Sequence, residues 1–174
     1  MVETVLVLLF LLFAFFALLQ YADNLRAKLL CEYAAGRCAR ARTVGMNDFM
    51  IVKTARIATM AAAGPCRSDE LYGEALSAYQ LANRSGSYLE CEDEAAAQAE
   101  LDFDYWRNGR TEAVATLSGA KVEARVVQHR PQFFDLFAWV NGETAETDED
   151  GNLKVNADLT GTAAIEAHYP VWMQ

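Results

Sequence analysis

Val5-Leu6-Val7-Leu8-Leu9-Phe10-Leu11-Leu12-Phe13-Ala14-Phe15-Phe16-Ala17-Leu18-Leu19 is an unbroken apolar run near the start of the chain. One acid, Glu3, stands just upstream, and Gln20-Tyr21-Ala22-Asp23-Asn24-Leu25-Arg26 carries on downstream without a turn signal. The run is short of the roughly 20 apolar residues of a spanning helix; with Thr4, Tyr21 and Ala22 it reaches about 18, enough to cross a bilayer that thins locally. A secretory leader has a basic start and a small-residue cleavage site. Neither pattern is present here, so the segment is expected to be retained.

Working outward, residues 4 to about 62 read as one helical rod rich in Ala, Leu, Met, Arg and Lys, all good helix formers. At 1.5 Å per residue it would be roughly 90 Å long. Leu25, Leu29, Tyr33 and Cys38 recur at helical spacing, as do Phe49, Val52, Arg56 and Met60. Gly36 and Gly45 are points of bending or melting, and Asn47-Asp48 suits a cap for a helix restarting at Phe49. The rod is expected to stop at Ala63-Gly64-Pro65.

Beyond that stop the pattern changes. Ser68-Asp69-Glu70 looks like a capped helix start, with the helix running to Leu81 or Arg84 and ending at Ser85-Gly86-Ser87. Residues 92–105 suit another short helix. Thr111–Leu117 and Lys121–His129 look like two strands joined at Ser118-Gly119, and in the second Val122, Ala124, Val126 and Gln128 alternate with Glu123, Arg125, Val127 and His129. Leu153–Leu159 and Thr162–Met173 are the third and fourth strand candidates. The expected fold class is therefore α+β: a long N-terminal helix and a small antiparallel sheet. The expected division is an apolar helix at 1–22, an amphipathic stem at 23–63 and an acidic head at 64–174.

Charge follows this division. Residues 1–62 hold seven basic residues and four acids; the chain total is −9, which leaves −12 for residues 63–174. So acidic a head argues against nucleic acid as a partner. It is either simply soluble or drawn to cationic stems within an assembly.

The chain has four cysteines, Cys31, Cys38, Cys66 and Cys91. Cys31 and Cys38 are about 10 Å apart along a helix, too far to bond each other there. Pairing of either with a head cysteine, or between subunits, is the expected state, with free buried thiols as the alternative. No metal-ligand spacing is present. Glu146, Asp148, Asp150 and Gly151 imitate the start of a calcium loop, but an EF-hand's closing glutamate would fall at Ala157. Asp148, Asp150 and Asp158 make at most a weak calcium site, and an acidic solvated turn is the plainer reading. His129 and His168 fall in separate strand candidates with no nucleophile motif beside them. Neither an enzyme nor a cofactor is expected. Phe133, Phe134, Phe137, Trp139, Tyr169 and Trp172 suit a packed core in the head. Asn83-Arg84-Ser85 fits a glycosylation sequon at Asn83.

Val2-Glu3-Thr4-Val5-Leu6-Val7-Leu8 resembles the start of the mature TadE-like minor pilins of the tight-adherence (type IVc) system, and Thr54-Ala55-Arg56-Ile57-Ala58 resembles the Ala-Arg-rich stretch further along their stem. The late strands, Lys121–His129 with Pro131 and then Ala164–Pro170, resemble that family's C-terminal sheet. The resemblance covers roughly the first 60 residues well and the rest loosely. The chain departs from it with Leu9 where the family often has proline, and with its glutamate third rather than fifth. The resemblance implies a subunit held first in the inner membrane and then built, with identical or related subunits, into an extracellular filament. Val5, Leu6, Leu9, Phe10, Phe13 and Phe16 would pack in the fibre core. Glu3 would pair with a neighbour's N-terminal amine, because an acid next to hydrocarbon is costly unless partnered. The alternative is a single-pass anchored binding protein that does not polymerise.

Overall fold

The computed structural model describes residues 2–67, 77–107, 109–131, 146–147, 153–154 and 156–166. Helix α1 spans Val2–Thr43, 42 residues and about 63 Å. Gly36 lies inside it without a break. It ends at Gly45, where φ is +85°: Met46 N–H donates to Ala41 O (3.1 Å) and Gly45 N–H to Arg42 O (3.0 Å). That pair of bonds satisfies the last carbonyls with a glycine in the left-handed conformation, a Schellman ending. Asn47 Oδ1 then accepts from Met50 N–H (2.9 Å) and caps α2, Asp48–Ala58. The expected single rod is thus two helices. The cap expected at Asn47 is present.

α2 folds back against α1, and Cys38 Sγ reaches Ile51 O at 3.5 Å. A 3-10 turn at Met60–Ala62 follows. Helix α3, Ala78–Glu90, starts with a capping box between Ser77 and Gln80 and runs through Ser85-Gly86-Ser87, where an end was expected. The start expected at Ser68 lies outside the described residues. α4, Glu94–Glu100, is capped by Asp93, and a second 3-10 turn covers Asp104–Trp106.

Strands β1 (Thr111–Ser118), β2 (Lys121–Pro131) and β5 (Asn156–Glu166) make an antiparallel sheet in the order β1-β2-β5. β3 (Glu146–Thr147) and β4 (Leu153–Lys154) pair separately. β1 and β2 join through a turn with Gly119 at φ +61°. β4 and β5 share the third strand candidate, and β5 runs on through the expected gap into the fourth as far as Glu166; residues 167–173 of that candidate lie outside the described residues. The α+β expectation holds: a long helix and a small antiparallel sheet.

The alternation expected in β2 is present. Val122, Ala124, Val126 and Gln128 are buried; Glu123 and Arg125 are exposed. The buried side meets α1 and α2 in one core of Ala34, Ala35, Cys38, Ala39, Ile51, Ala55, Ala115, Val122, Ala124 and Val126. The stem is therefore not free. Its first part, from Ala27 to Ala41, packs against the sheet and α2.

The closest approach is at Gly161 of β5. A Cβ there would collide with the carbonyl group of Cys31 and the backbone nitrogen of Glu32. Glycine in this strand is what lets the helix backbone lie directly on the sheet.

A second core holds Ala63, Tyr88, Ala97, Leu101, Phe103 and Trp106, with Phe103 and Trp106 ring centroids 4.7 Å apart. α2 is fastened to it by two buried cations. Lys53 Nζ donates to Leu89 O and Cys91 O, both at 2.7 Å, and so closes the C-terminal end of α3. Arg56 donates to Glu94 Oε1 (3.1 Å), Trp106 O (3.2 Å) and Tyr88 Oη (3.4 Å).

Candidate functional site

The feature that the fold leaves unsatisfied is the first half of α1. Its most apolar stretch of 18 residues has a mean hydropathy of 2.6, none of it is buried, and the helix is long and apolar enough to cross a membrane. Phe10 is 73 % exposed and Leu9 66 %; Val5, Leu6, Phe13 and Phe16 are exposed as well. A helix that is apolar on every side is made for lipid or for the interior of an assembly. Covering each Leu, Phe or Val contributes about 1.5–3 kcal/mol, and a contiguous patch this large is foreign to monomers in water. Glu3 lies exposed in the first helical turn, at the positive end of the helix dipole.

The change from bare to docked helix is abrupt. Gln20 is the first buried residue, Ala27 the next, and one turn after Gln20 the head takes hold. There Arg130, at the end of β2, donates through Nη2 to Asp23 Oδ2 (2.8 Å) and through Nη1 to Asp23 O (3.3 Å). Its guanidinium also lies over the Tyr105 ring, 5.5 Å from the centroid. This clamp joins residues 107 apart in sequence, and sequence reading gave no sign of it.

Below the clamp the docked face is built of small residues. Ala27, Cys31, Ala34, Ala35, Cys38 and Ala39 are all 0 % exposed. Leu25, Leu29 and Tyr33, the periodic residues of the sequence, lie on the outside. Alanine and cysteine shorten the distance at which a helix can ride on a sheet, and Gly161 completes that fit from the other side.

No disulfide joins the four cysteines within the chain, so the expected pairing of Cys31 or Cys38 with a head cysteine is not present. The physical reason is placement: Cys38 is in the first core and Cys31 is buried where α1 lies on Gly161 of β5, whereas Cys66 and Cys91 pack, half-buried, on the second core. Burial pushes the Cys31 and Cys38 thiols up to about 11.

Asp158 of the weak calcium set is on β5, where it meets His129 Nδ1 across the strands at 2.6 Å; Asp148 and Asp150 lie outside the described residues. Among the described residues no group of three or more His, Cys, Asp or Glu is arranged to hold a metal. His129 is the cross-strand residue expected, and His168 lies outside the described residues, as do Phe133, Phe134, Phe137, Trp139, Tyr169 and Trp172. Asn83 is exposed in the middle of α3.

Among the described residues nothing covers the sheet's other face, where Val114, Thr116, Glu123, Arg125, Thr162 and Ala164 are exposed. A shallow trough of about 520 Å³ runs over Val114, Thr116, Glu123, Arg125, Thr162 and Ala164, and a smaller hollow beside it holds His129 and Asp158. Among the described residues neither is lined by serine or cysteine. Comparisons with protein-family models, curated proteins and solved structures find no match for this chain.

Proposed function

We propose that the chain is a non-enzymatic structural subunit of a pilus-like helical filament. Its apolar helix is held first in the inner membrane and then packs with the same helix of identical or related subunits in the fibre core. The acidic head faces outward from the cell surface, and neither a cofactor nor nucleic acid takes part. The observation that carries this reading is the continuity of α1: one unbroken helix is bare along residues 3–19 and clamped to a sheet from Asp23 onward. In such an object the packing of the bare rods fixes where every head sits. Contacts repeat head to tail, the kind that produces open filaments. Val5, Leu6, Leu9, Phe10, Phe13 and Phe16 supply the rod's contact surface, and Glu3 pairs with a neighbour's N-terminal amine to set axial register.

The test is electron microscopy of sheared cell-surface material together with Glu3→Ala. The reading predicts fibres that contain this chain, and a lower fibre yield from the variant with its head still folded. Normal fibre yield from Glu3→Ala would remove the role given to that acid. The open sheet face favours one other reading: a single-pass anchored protein whose trough at Val114, Thr116 and Arg125 binds a ligand, with no polymer.

A further inference from the structure

We propose that the side of α1 turned away from the sheet is a seam for a second copy of this chain, and that the membrane-held protein pairs through it, helix against parallel helix. The inference rests only on the membrane-held stage, which the filament and anchored readings share.

Spacing comes first. Leu11, Phe15, Leu18, Ala22, Leu25 and Leu29 follow one another at alternating steps of four and three residues, the period of a left-handed coiled coil. All six are exposed, Leu18 at 68 %, Leu25 at 44 % and Leu29 at 64 %. The opposite stripe is already buried: Gln20, Ala27, Ala34 and Ala41 stand seven residues apart, about half a turn of the wheel from the seam. The sheet therefore sits on the far side of α1 from the seam. Leu6, Leu9, Phe10, Phe13 and Phe16, assigned above to the fibre core, fall on that far side as well. A pair made through the seam does not use them.

Reach comes second. Lipid tails cover an apolar helix for about 30 Å, or roughly 20 residues. Counted from Val5, that length ends near Asn24, at the level where Arg130 clamps Asp23. Leu29 lies about 7 Å further on. Hydrocarbon thus covers the first part of the seam but not its last, and beyond the tails only protein can do so. A second copy is held at the same depth by the same run, so it brings its own Leu25 and Leu29 to that level. Two copies with their heads on one side of a membrane are also necessarily parallel.

The flanks come third. Tyr21 and Lys28 border the seam on one side, Arg26 and Tyr33 on the other, and all four are exposed. In a parallel, in-register pair, Tyr21 meets Arg26 of the second copy and Lys28 meets its Tyr33. Each level then sets a cation beside an aromatic ring, with no like charges opposed. Tyr33 already holds one cation on its own helix: Arg37 Nη1 donates to its Oη (3.1 Å), and that guanidinium stands 5.9 Å from the ring centroid. The next step of the repeat is Glu32, exposed, which would face its own copy. Like charge against like charge ends the seam there.

The test uses the full chain at low loading in phosphatidylcholine vesicles. p-Benzoylphenylalanine replaces Leu18 or Leu29 on the seam, and Leu9 or Phe13 off it, and the products of illumination are resolved by mass. The inference predicts a covalent dimer several-fold more abundant from the two seam positions, with a yield that holds as lipid is added. Leu25→Glu/Leu29→Glu changes only exposed positions and should lower the cross-link from position 18 about tenfold; Glu32→Leu should raise it. Equal yields at all four positions, or yields that simply follow loading, mean chance encounter and overturn the inference. So does a ladder of trimers and larger species from the seam positions, which would make the contact an open one. Flotation of the same vesicles separates the levels of failure. A chain that does not float with lipid removes the membrane-held stage and this inference with it; one that floats without seam dimers overturns this inference alone.

Discussion

The two halves of α1 are one helix with two opposite solutions to covering its side chains. From Val5 to Leu19 all residues but Ala14 and Ala17 are large, and the large ones are exposed on every side. From Ala27 to Ala41 the docked residues are small, and burial is confined to one side, against β2 and β5. Large side chains give the free half its gain in whatever medium encloses it. Small ones give the docked half proximity, so its stability comes from close backbone approach rather than from bulk. The comparison teaches that the two buried cores of the head include no residue of the apolar run.

The sharpest way to break the docked half is Gly161→Val. The new side chain would meet the Cys31–Glu32 backbone, and a loss of about 3 kcal/mol or more is expected, at the upper end of overpacking effects. Denaturant unfolding of the full chain in detergent measures it. The matching change in the free half is Leu9→Glu. Head stability should not move, while membrane insertion weakens by about 2.5–3.5 kcal/mol, as for a charge at the centre of a spanning helix. Flotation and head unfolding, read on one preparation, separate these outcomes.

A smaller effect is expected at the clamp. Arg130→Met removes its hydrogen bonds to a half-exposed Asp23 and should destabilise by about 1–2 kcal/mol, with altered exchange near Gln20–Ala27. Inside the docked interface Gln128 is 0 % exposed and its side-chain amide has no hydrogen-bond partner among the described residues. Gln128→Leu should therefore stabilise by about 1 kcal/mol, because it removes a buried polar group that is left unmade. The smallest effect is pH-dependent. The Cys31 and Cys38 thiols titrate near 11 when folded and near 9.0 when free, so folding favours their protonated form. Their contribution is fully present below about pH 9 and is lost as pH rises towards 11. Alkylation at pH 8 should modify Cys66 and Cys91 and spare these two until denaturant is added.

The amount legible in sequence differs between the same two halves. The free half is read from composition alone, because fifteen consecutive apolar residues need no tertiary context. The end of α1 is legible too: Gly45 and Asn47 carry the C-cap and N-cap chemistry, although Gly36 carries the same glycine signal and does not interrupt the helix. The docked face is different. Leu25, Leu29 and Tyr33 dominate any hydrophobic periodicity, yet they face outward, because the sheet selects the small face instead. Gly161 inside a strand was the available hint of that close approach. The Arg130–Asp23 clamp joins segments that only the folded sheet brings together, so no local pattern announces it.

The central claim is that bare rods of neighbouring chains cover one another once they leave the bilayer. Electron microscopy of sheared surface material, with the chain identified in what is seen, tests it most directly. The account predicts fibres built with this chain, and far fewer of them from Glu3→Ala. Recovery of the chain solely as detergent-bound monomers, with no polymer under native conditions, would contradict it.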